Sequence, residues 1–278
     1  MNTRQLLQEL LEAERTVAGC VAAVMPQIER AVELIAARLE QGGRWFNVGA
    51  GTSGRIGALD AAELPPTFGV ERQLVTAILA GGRDAMFDAR EGAEDDAAAG
   101  ARDLTAAGLC AADVVVGLAA SGTTPYVIGA LEHARRAGAL TVSVICTPNS
   151  PLASIPEIAI VAATGPEVLS GSTRLKAGSA QKLVMNLLST AVMARRGLIV
   201  RGEMVAMRST NAKLRLRAVR IVTDLLQIDG DRARQLLEAA AWDLPVALVS
   251  GRHRESPAQA RERLALVRGN VARALGDL

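Results

Sequence analysis

The chain has 278 residues, half of them apolar and only 2% aromatic, which is enough to bury one full α/β core and a smaller appendage. Its 31 Lys and Arg nearly balance 29 acids, for a formal net charge of +2, and this speaks against the concentrated basic face that general nucleic-acid binding needs. Three cysteines (Cys20, Cys110, Cys146) without paired spacing argue against a disulfide framework or a zinc site, and no run approaches the roughly 18 uncharged apolar residues of a membrane span.

The first residues carry charges throughout and lack an apolar core of signal-peptide type, so a cytoplasmic protein is expected. Residues 5–40 read as helical, because Leu6, Leu7, Leu10, Leu11 and then Ile28, Val32, Ile35 and Leu39 recur at three- and four-residue spacing. Gly42 and Gly43 close that region, a short strand follows at 44–48, and then comes Gly49-Ala50-Gly51-Thr52-Ser53-Gly54. The next helix runs toward Glu63, where Pro65 and Pro66 are predicted to stop it, since proline lacks the amide donor and clashes with the preceding turn. A second strand is predicted at 73–79, a helix at 91–107, a third strand at 114–118, then Ser121-Gly122-Thr123-Thr124-Pro125 and a helix through His133. Strands at 140–146 and 158–162 complete an alternation that implies a doubly wound parallel sheet with both faces covered.

After Gly165 the character changes: long helices are predicted at 179–195 and 204–226, and only short helical patterns follow Asp229. The expected division is an α/β domain over 1–205, including the N-terminal helices, and a small helical domain over 206–278. The C-terminal arginines, such as Arg252, Arg261 and Arg273, read as a solvated surface.

Two loops share one design: a buried strand, then small and hydroxyl residues, then a helix. Such a loop offers backbone amides, hydroxyls and the positive end of a helix to a phosphate. Gly49 to Gly54 is one and Ser121 to Thr124 the other; two of them at strand C-termini in one sheet are a far stronger signal than either alone. The first also spells G-x-G-x-x-G, but the acid that a dinucleotide's ribose needs is missing, because the second strand ends Ile78-Leu79-Ala80-Gly81-Gly82. No Gly-Lys-Ser/Thr follows, which excludes a P-loop. His133 and His253, the only histidines, sit on helical patterns and read as structural. Composition alone reads Glu63 and Glu94 as surface acids, yet with no histidine or cysteine constellation any acid–base chemistry falls to carboxylates. A third polar cluster runs from Gly165 to Gly178 and holds Glu167, Ser172, Thr173, Arg174 and Lys176.

Together these stretches resemble the N-acetylmuramic acid 6-phosphate etherase family. The likeness rests on Gly49 to Arg55, Asp60-Ala61-Ala62-Glu63-Leu64-Pro65-Pro66-Thr67, Glu91-Gly92-Ala93-Glu94-Asp95, Ala119-Ala120-Ser121-Gly122, Glu167 to Lys182, and Thr210-Asn211-Ala212-Lys213-Leu214. The resemblance implies the sugar-isomerase (SIS) fold followed by a small helical domain, a homodimer, and no metal or organic cofactor. It implies a carbon–oxygen lyase that removes D-lactate from a phosphosugar in cell-wall recycling. Glu63 then matches the acid serving the departing lactate and Glu94 the base at C2. Ser121, Gly122, Thr123 and Thr124 would hold phosphate, with Ser53, Gly54, Glu167, Ser172, Thr173 and Lys176 as further contacts. A continuous helix would place Glu63 roughly 13 Å along its axis from Gly54. This chain departs from the family pattern in lacking a leading segment of Glu-x-Arg-Asn type, in Thr123 where Arg is common, and in Leu64 where Cys is common.

Two rivals share the fold. A non-catalytic phosphosugar-binding regulator needs neither Glu63 nor Glu94. An aldose–ketose isomerase would use Glu167 as its proton shuttle but has no leaving group to protonate.

Overall fold

The computed structural model describes residues 2–88, 90–209 and 211–276; Thr210, the first residue of the last stretch quoted for the family, lies outside them. The region predicted as one helical run is three helices: α1 (Thr3–Arg15), α2 (Val17–Ala22) and α3 (Met25–Glu40). Pro26 stands in the first turn of α3, where its missing amide costs nothing, and it cannot continue the helix before it. Helix α3 buries Ile28, Val32, Ile35 and Leu39, the stripe its spacing foretold. Helix α1 buries nothing, and Leu6, Leu7 and Leu11 are exposed.

Next come β1 (Trp45–Gly49), α4 (Gly51–Phe68), β2 (Val75–Leu79), α5 (Ala97–Ala106), β3 (Val114–Leu118), α6 (Pro125–Arg136), β4 (Leu140–Ile145), β5 (Ile158–Val161) and α7 (Lys176–Arg195). All five strands are parallel, in the order β2-β1-β3-β4-β5. Every residue of β1, β3 and β4 is buried; β3 is accordingly an unbroken apolar run, while Asn47 of β1 and Thr141 and Ser143 of β4 are buried with hydrogen-bond partners. The chain moves outward from β1 to β2 and returns to the other side of β1 as β3. That reversal is a topological switch point. Gly49 and Leu118, the last residues of β1 and β3, are register partners, so the two candidate phosphate loops leave the sheet side by side.

At the opposite edge a buried acid ties the same two strands together. Asp113 accepts from the Arg44 backbone amide (2.8 Å), from its guanidinium (2.8 Å) and from the Cys110 amide (2.9 Å). Burial pushes the Asp113 carboxyl up, but the Arg44 guanidinium and these amides outweigh it and hold it below the usual carboxylate range.

Pro65 and Pro66 do not stop α4, which continues to Phe68. A proline removes only its own donor, so the Ala61 and Ala62 carbonyls lose their helical partners while later amides still bond; the Gly69 amide reaches the Pro65 carbonyl at 3.0 Å. The strain of two adjacent prolines falls in the last turn, where little helix remains to be broken.

Helices α4 and α7 run side by side, joined by two buried polar rungs. The Ser53 hydroxyl donates to Gln181 Oε1 (2.8 Å) and the Ser189 hydroxyl to Asp60 Oδ1 (2.8 Å). The second Asp60 oxygen is buried with no hydrogen-bond partner. Burial raises the Asp60 carboxyl to about 6, against the lowering effects of Ser189 and Lys182.

The remaining elements are a short antiparallel pair, β6 (Ile199–Val200) and β7 (Glu203–Met204), then α8 (Ala212–Leu226), α9 (Gly230–Ala239), α10 (Leu244–His253), α11 (Pro257–Leu266) and α12 (Val271–Leu275). The helix predicted over 204–226 therefore begins eight residues late, at a cap where the Asn211 side chain accepts the Leu214 amide (2.9 Å). The chain divides into two compact units, 1–62 with 72–191, and 63–71 with 192–278. The second has its own core, built on Ile221, Val222, Leu237, Leu248 and Val249.

Because the folded Asp60 binds its proton more tightly than the unfolded chain does, its contribution to stability is complete below pH 4 and is lost as pH rises through about 6. Thermal or urea unfolding of the parent and Asp60→Asn should therefore diverge with pH. The asparagine variant should gain on the parent by at most about 3 kcal/mol between pH 4 and pH 7.5; a constant difference across that range would show that Asp60 does not titrate in the fold.

Candidate active site

At the end of β1 the backbone passes very close to the first turn of α4. A Cβ on Gly54 would lie 2.7 Å from the Gly49 carbonyl oxygen, and one on Gly49 would lie 2.7 Å from the Gly54 amide nitrogen. Only glycine at both positions lets the helix start this close to its strand. Ser53 is buried and spends its hydroxyl proton on Gln181, whose amide donates to the Val144 carbonyl (3.0 Å).

The loop after β3 is built differently. Gly122 has φ +68°, and a Cβ there would fall 2.0 Å from Ser150 Oγ. Exposed Ser121 accepts both the amide (3.2 Å) and the hydroxyl (3.0 Å) of Thr123, so its own proton remains for an incoming acceptor. Thr124 caps α6 without a side-chain cap bond, and Pro125 opens the helix with no amide. The Ser121 and Thr124 hydroxyls thus stand at the positive end of a 12-residue helix, the arrangement that binds phosphate.

In the 165–178 segment, Glu167 is committed to the fold. Its two oxygens accept the Ala177 amide (2.9 Å) and the Lys176 amide (3.3 Å), capping α7. Ser172 is half-buried, Thr173 exposed and Lys176 buried. Burial pushes the nearby Cys146 thiol up to about 12, which leaves it inert as a nucleophile. The histidines are tied up structurally as expected, His133 with the Thr105 hydroxyl (3.1 Å) and His253 with the Ala274 carbonyl (2.7 Å).

Glu94 lies on a single 3-10 turn, Ala93–Asp95, ahead of α5. The helix predicted over 91–107 breaks because Gly92 takes a left-handed conformation and Asp96 accepts the Ala99 amide (2.9 Å) to start α5 afresh. This places Glu94 in a cleft of about 190 Å³ at the C-terminal ends of β1 and β2, shared with Gly51, Arg55, Arg90 and Glu91. Glu94 is exposed there. Arg55 was not singled out as a site residue, although its place directly after Gly54 in the first helical turn was a usable signal; nothing in the local sequence pointed to Arg90. Glu63 is an exposed residue of α4 within the segment assigned to the second unit, and it is not among the walls of this cleft. Among the described residues no cluster of His, Cys, Asp and Glu is placed to hold a metal, and no helix is long and apolar enough to cross a membrane.

Comparison with known proteins decides the family. The chain is 47% identical over 277 residues to N-acetylmuramic acid 6-phosphate etherase 2 of Vibrio cholerae serotype O1, covering 100% of this chain and 90% of that protein. It is 48% identical over 275 residues to the N-acetylmuramic acid 6-phosphate etherase of Pectobacterium atrosepticum, covering 99% and 91%. The chain belongs to the N-acetylmuramic acid 6-phosphate etherase family. Residues 27–135 of this etherase-family chain also match the model of the glucokinase regulatory protein N-terminal SIS domain. Its fold is that of the phosphoheptose isomerases of Francisella tularensis (15% identical, TM-score 0.54, covering 70% of this chain and 100% of that one) and Neisseria gonorrhoeae (14%, 0.53, 69% and 98%). The expected SIS fold with a helical C-terminal region is therefore present.

Two substitutions in the β3–α6 loop of this etherase-family member separate shape from contact. Gly122→Ala forces both a left-handed alanine and a clash with Ser150, and should cost about 2–4 kcal/mol of stability as well as sugar-phosphate affinity. Ser121→Ala should leave the unfolding midpoint unchanged and weaken the sugar phosphate by about 10-fold, one charge-assisted hydrogen bond. Thermal scans and titration with N-acetylglucosamine 6-phosphate measure both.

Proposed function

We propose that this chain cleaves the lactyl ether of N-acetylmuramic acid 6-phosphate, releasing D-lactate and N-acetylglucosamine 6-phosphate by elimination followed by hydration. The observation that carries the reading is near-full-length likeness to proteins named for that activity. The exposed carboxylate of Glu94 in its cleft and the open phosphate loop on the same edge of the sheet support it.

The open-chain aldehyde makes the C2 proton acidic. Glu94 takes that proton, the C3–oxygen bond breaks, and Glu63 protonates the departing lactate oxygen. Water then adds across the C2–C3 double bond at C3, returning a proton to C2. The Ser121 and Thr124 hydroxyls and the start of α6 hold the phosphate, with Thr123 bracing Ser121. Gly54 and Gly122 shape the two loops, Ser53 locks α4 to α7, and Ser172, Thr173 and Lys176 border the start of α7. Glu167 shapes this border rather than shuttling protons, since both its oxygens already accept amides, and this favours the etherase over an aldose–ketose isomerase.

We further propose that residues 1–205 carry the sugar-phosphate chemistry, that the protein works in the cytoplasm in peptidoglycan recycling, and that it is a homodimer. The exposed Leu6, Leu7 and Leu11 of α1 support a partner surface.

Incubation with N-acetylmuramic acid 6-phosphate should release D-lactate, and Glu63→Ala and Glu94→Ala should each lower kcat by about 10²–10⁴-fold. No lactate from the parent, with the sugar phosphate still raising its unfolding temperature, would replace the enzyme with a phosphosugar-binding regulator.

A further inference from the structure

The proposed substrate carries two anions, the 6-phosphate and the carboxylate of the lactyl group, and the β3–α6 loop accounts for only one of them. The Glu94 cleft, at about 190 Å³, is smaller than the ~300–1,000 Å³ of a pocket that encloses a whole small molecule, so it admits one end of the sugar. Which end follows from covalent structure. If Glu94 works at C2, the lactyl carboxylate is four bonds from its target and the phosphorus is six, so the lactyl group accompanies C2 into the cleft.

The charged groups on the cleft walls are Arg55, Arg90, Glu91 and Glu94. Arg90 pairs with Asp84 at 2.8 Å, and both side chains are well exposed. Glu91 and Glu94 are exposed acids that repel a carboxylate. Arg55 differs from all of these. It is half-buried, and its Nε donates to the Met86 carbonyl at 3.0 Å. That bond fixes the plane of the guanidinium and leaves its terminal nitrogens with no carboxylate partner among the described residues. A planar fork held in this way receives a carboxylate through two parallel hydrogen bonds while losing little further entropy. Its place in the first turns of α4 adds the positive end of a helix.

We infer that Arg55 binds the carboxylate of the lactyl group and thereby makes the Glu94 cleft specific for 3-O-lactyl sugars. This rests on the etherase reading above. A sugar phosphate without the lactyl group offers Arg55 nothing, so the product is released from this cleft while the substrate is retained. Holding the carboxylate also fixes the ether bond relative to the base, so that Arg55 acts on the leaving group without itself transferring a proton.

The test compares N-acetylmuramic acid 6-phosphate with its lactamide analogue, in which the carboxylate is a neutral amide, on the full chain. The parent should prefer the acid by at least 10-fold in kcat/KM. Arg55→Gln should lower kcat/KM at least 10-fold for the acid, mostly through KM, and leave the amide unchanged, which abolishes the preference. Arg55→Lys, which keeps the charge without the fork, should fall between them, and Arg90→Gln should leave the preference in place. Equal kcat/KM for acid and amide in the parent would overturn the inference without any variant, so misfolding of Arg55→Gln does not shield it. An equal loss on both substrates in Arg55→Gln would overturn it too. Absence of lactate release by the parent is a separate result and removes the etherase reading itself.

Discussion

Reversal of the strand order between β1 and β3 is the constraint on which the rest of this molecule depends. Parallel strands wound in both directions from one pair leave a gap at their C-terminal ends, where the connecting helices diverge. Register fixes the gap, because Gly49 and Leu118 end β1 and β3 opposite each other. At the other edge the same two strands are pinned by Asp113 and Arg44. A buried carboxylate that accepts from both a guanidinium and backbone amides is costly to break, since removing one partner leaves the others unmet. The Asp113–Arg44 tie thus closes one end of the β1–β3 pair, while the two glycine- and hydroxyl-bearing loops leave from the other.

Helix α4 converts that gap into a site. Its first turn lies against the end of β1 through glycines 49 and 54, it carries Arg55 into the Glu94 cleft, and it continues through two prolines to Phe68. The rungs Ser53–Gln181 and Asp60–Ser189 fix its position against α7. The second rung holds a carboxyl oxygen that nothing satisfies, a stability cost borne by the helix that supplies the glycine loop, Arg55 and Glu63.

Much of this was legible in the sequence, and the reasons differ by element. Residues 114–118 were readable as a strand because burial on both faces demands an unbroken apolar run, and the observed bounds are the same. The two loops were readable as tight strand-to-helix turns because Gly49, Gly54 and Gly122 stand where the structure leaves no room for a Cβ. The prolines misled because the rule that they end helices concerns the helix interior, while Pro65 and Pro66 stand in a last turn that ends at Gly69. Residues 204–209 misled because their apolar spacing suits a helix, yet Met204 pairs in a hairpin and only Asn211 provides a cap. Arg55 is legible in the sequence only as the end of the Gly49 to Arg55 stretch, and its use in the cleft depends on the Met86 carbonyl, 31 residues away.

The polar 165–178 segment shows how one fold separates two chemistries. Sequence reading offered Glu167 as a proton shuttle, which an isomerase requires and an etherase does not. In the structure the Glu167 carboxylate satisfies two amides at the start of α7, amides that the helix cannot satisfy by itself. A shuttle must exchange its proton with substrate, and an oxygen already holding helix amides pays for that exchange with the cap. By contrast, Glu94 stands in an open cleft and Glu63 on the exposed face of α4, which leaves both carboxylates in contact with solvent. Under the proposed etherase reaction, proton removal at C2 and protonation of the leaving oxygen are tasks at different atoms and suit two carboxylates, whereas an isomerase returns one proton to the neighbouring carbon and needs only one.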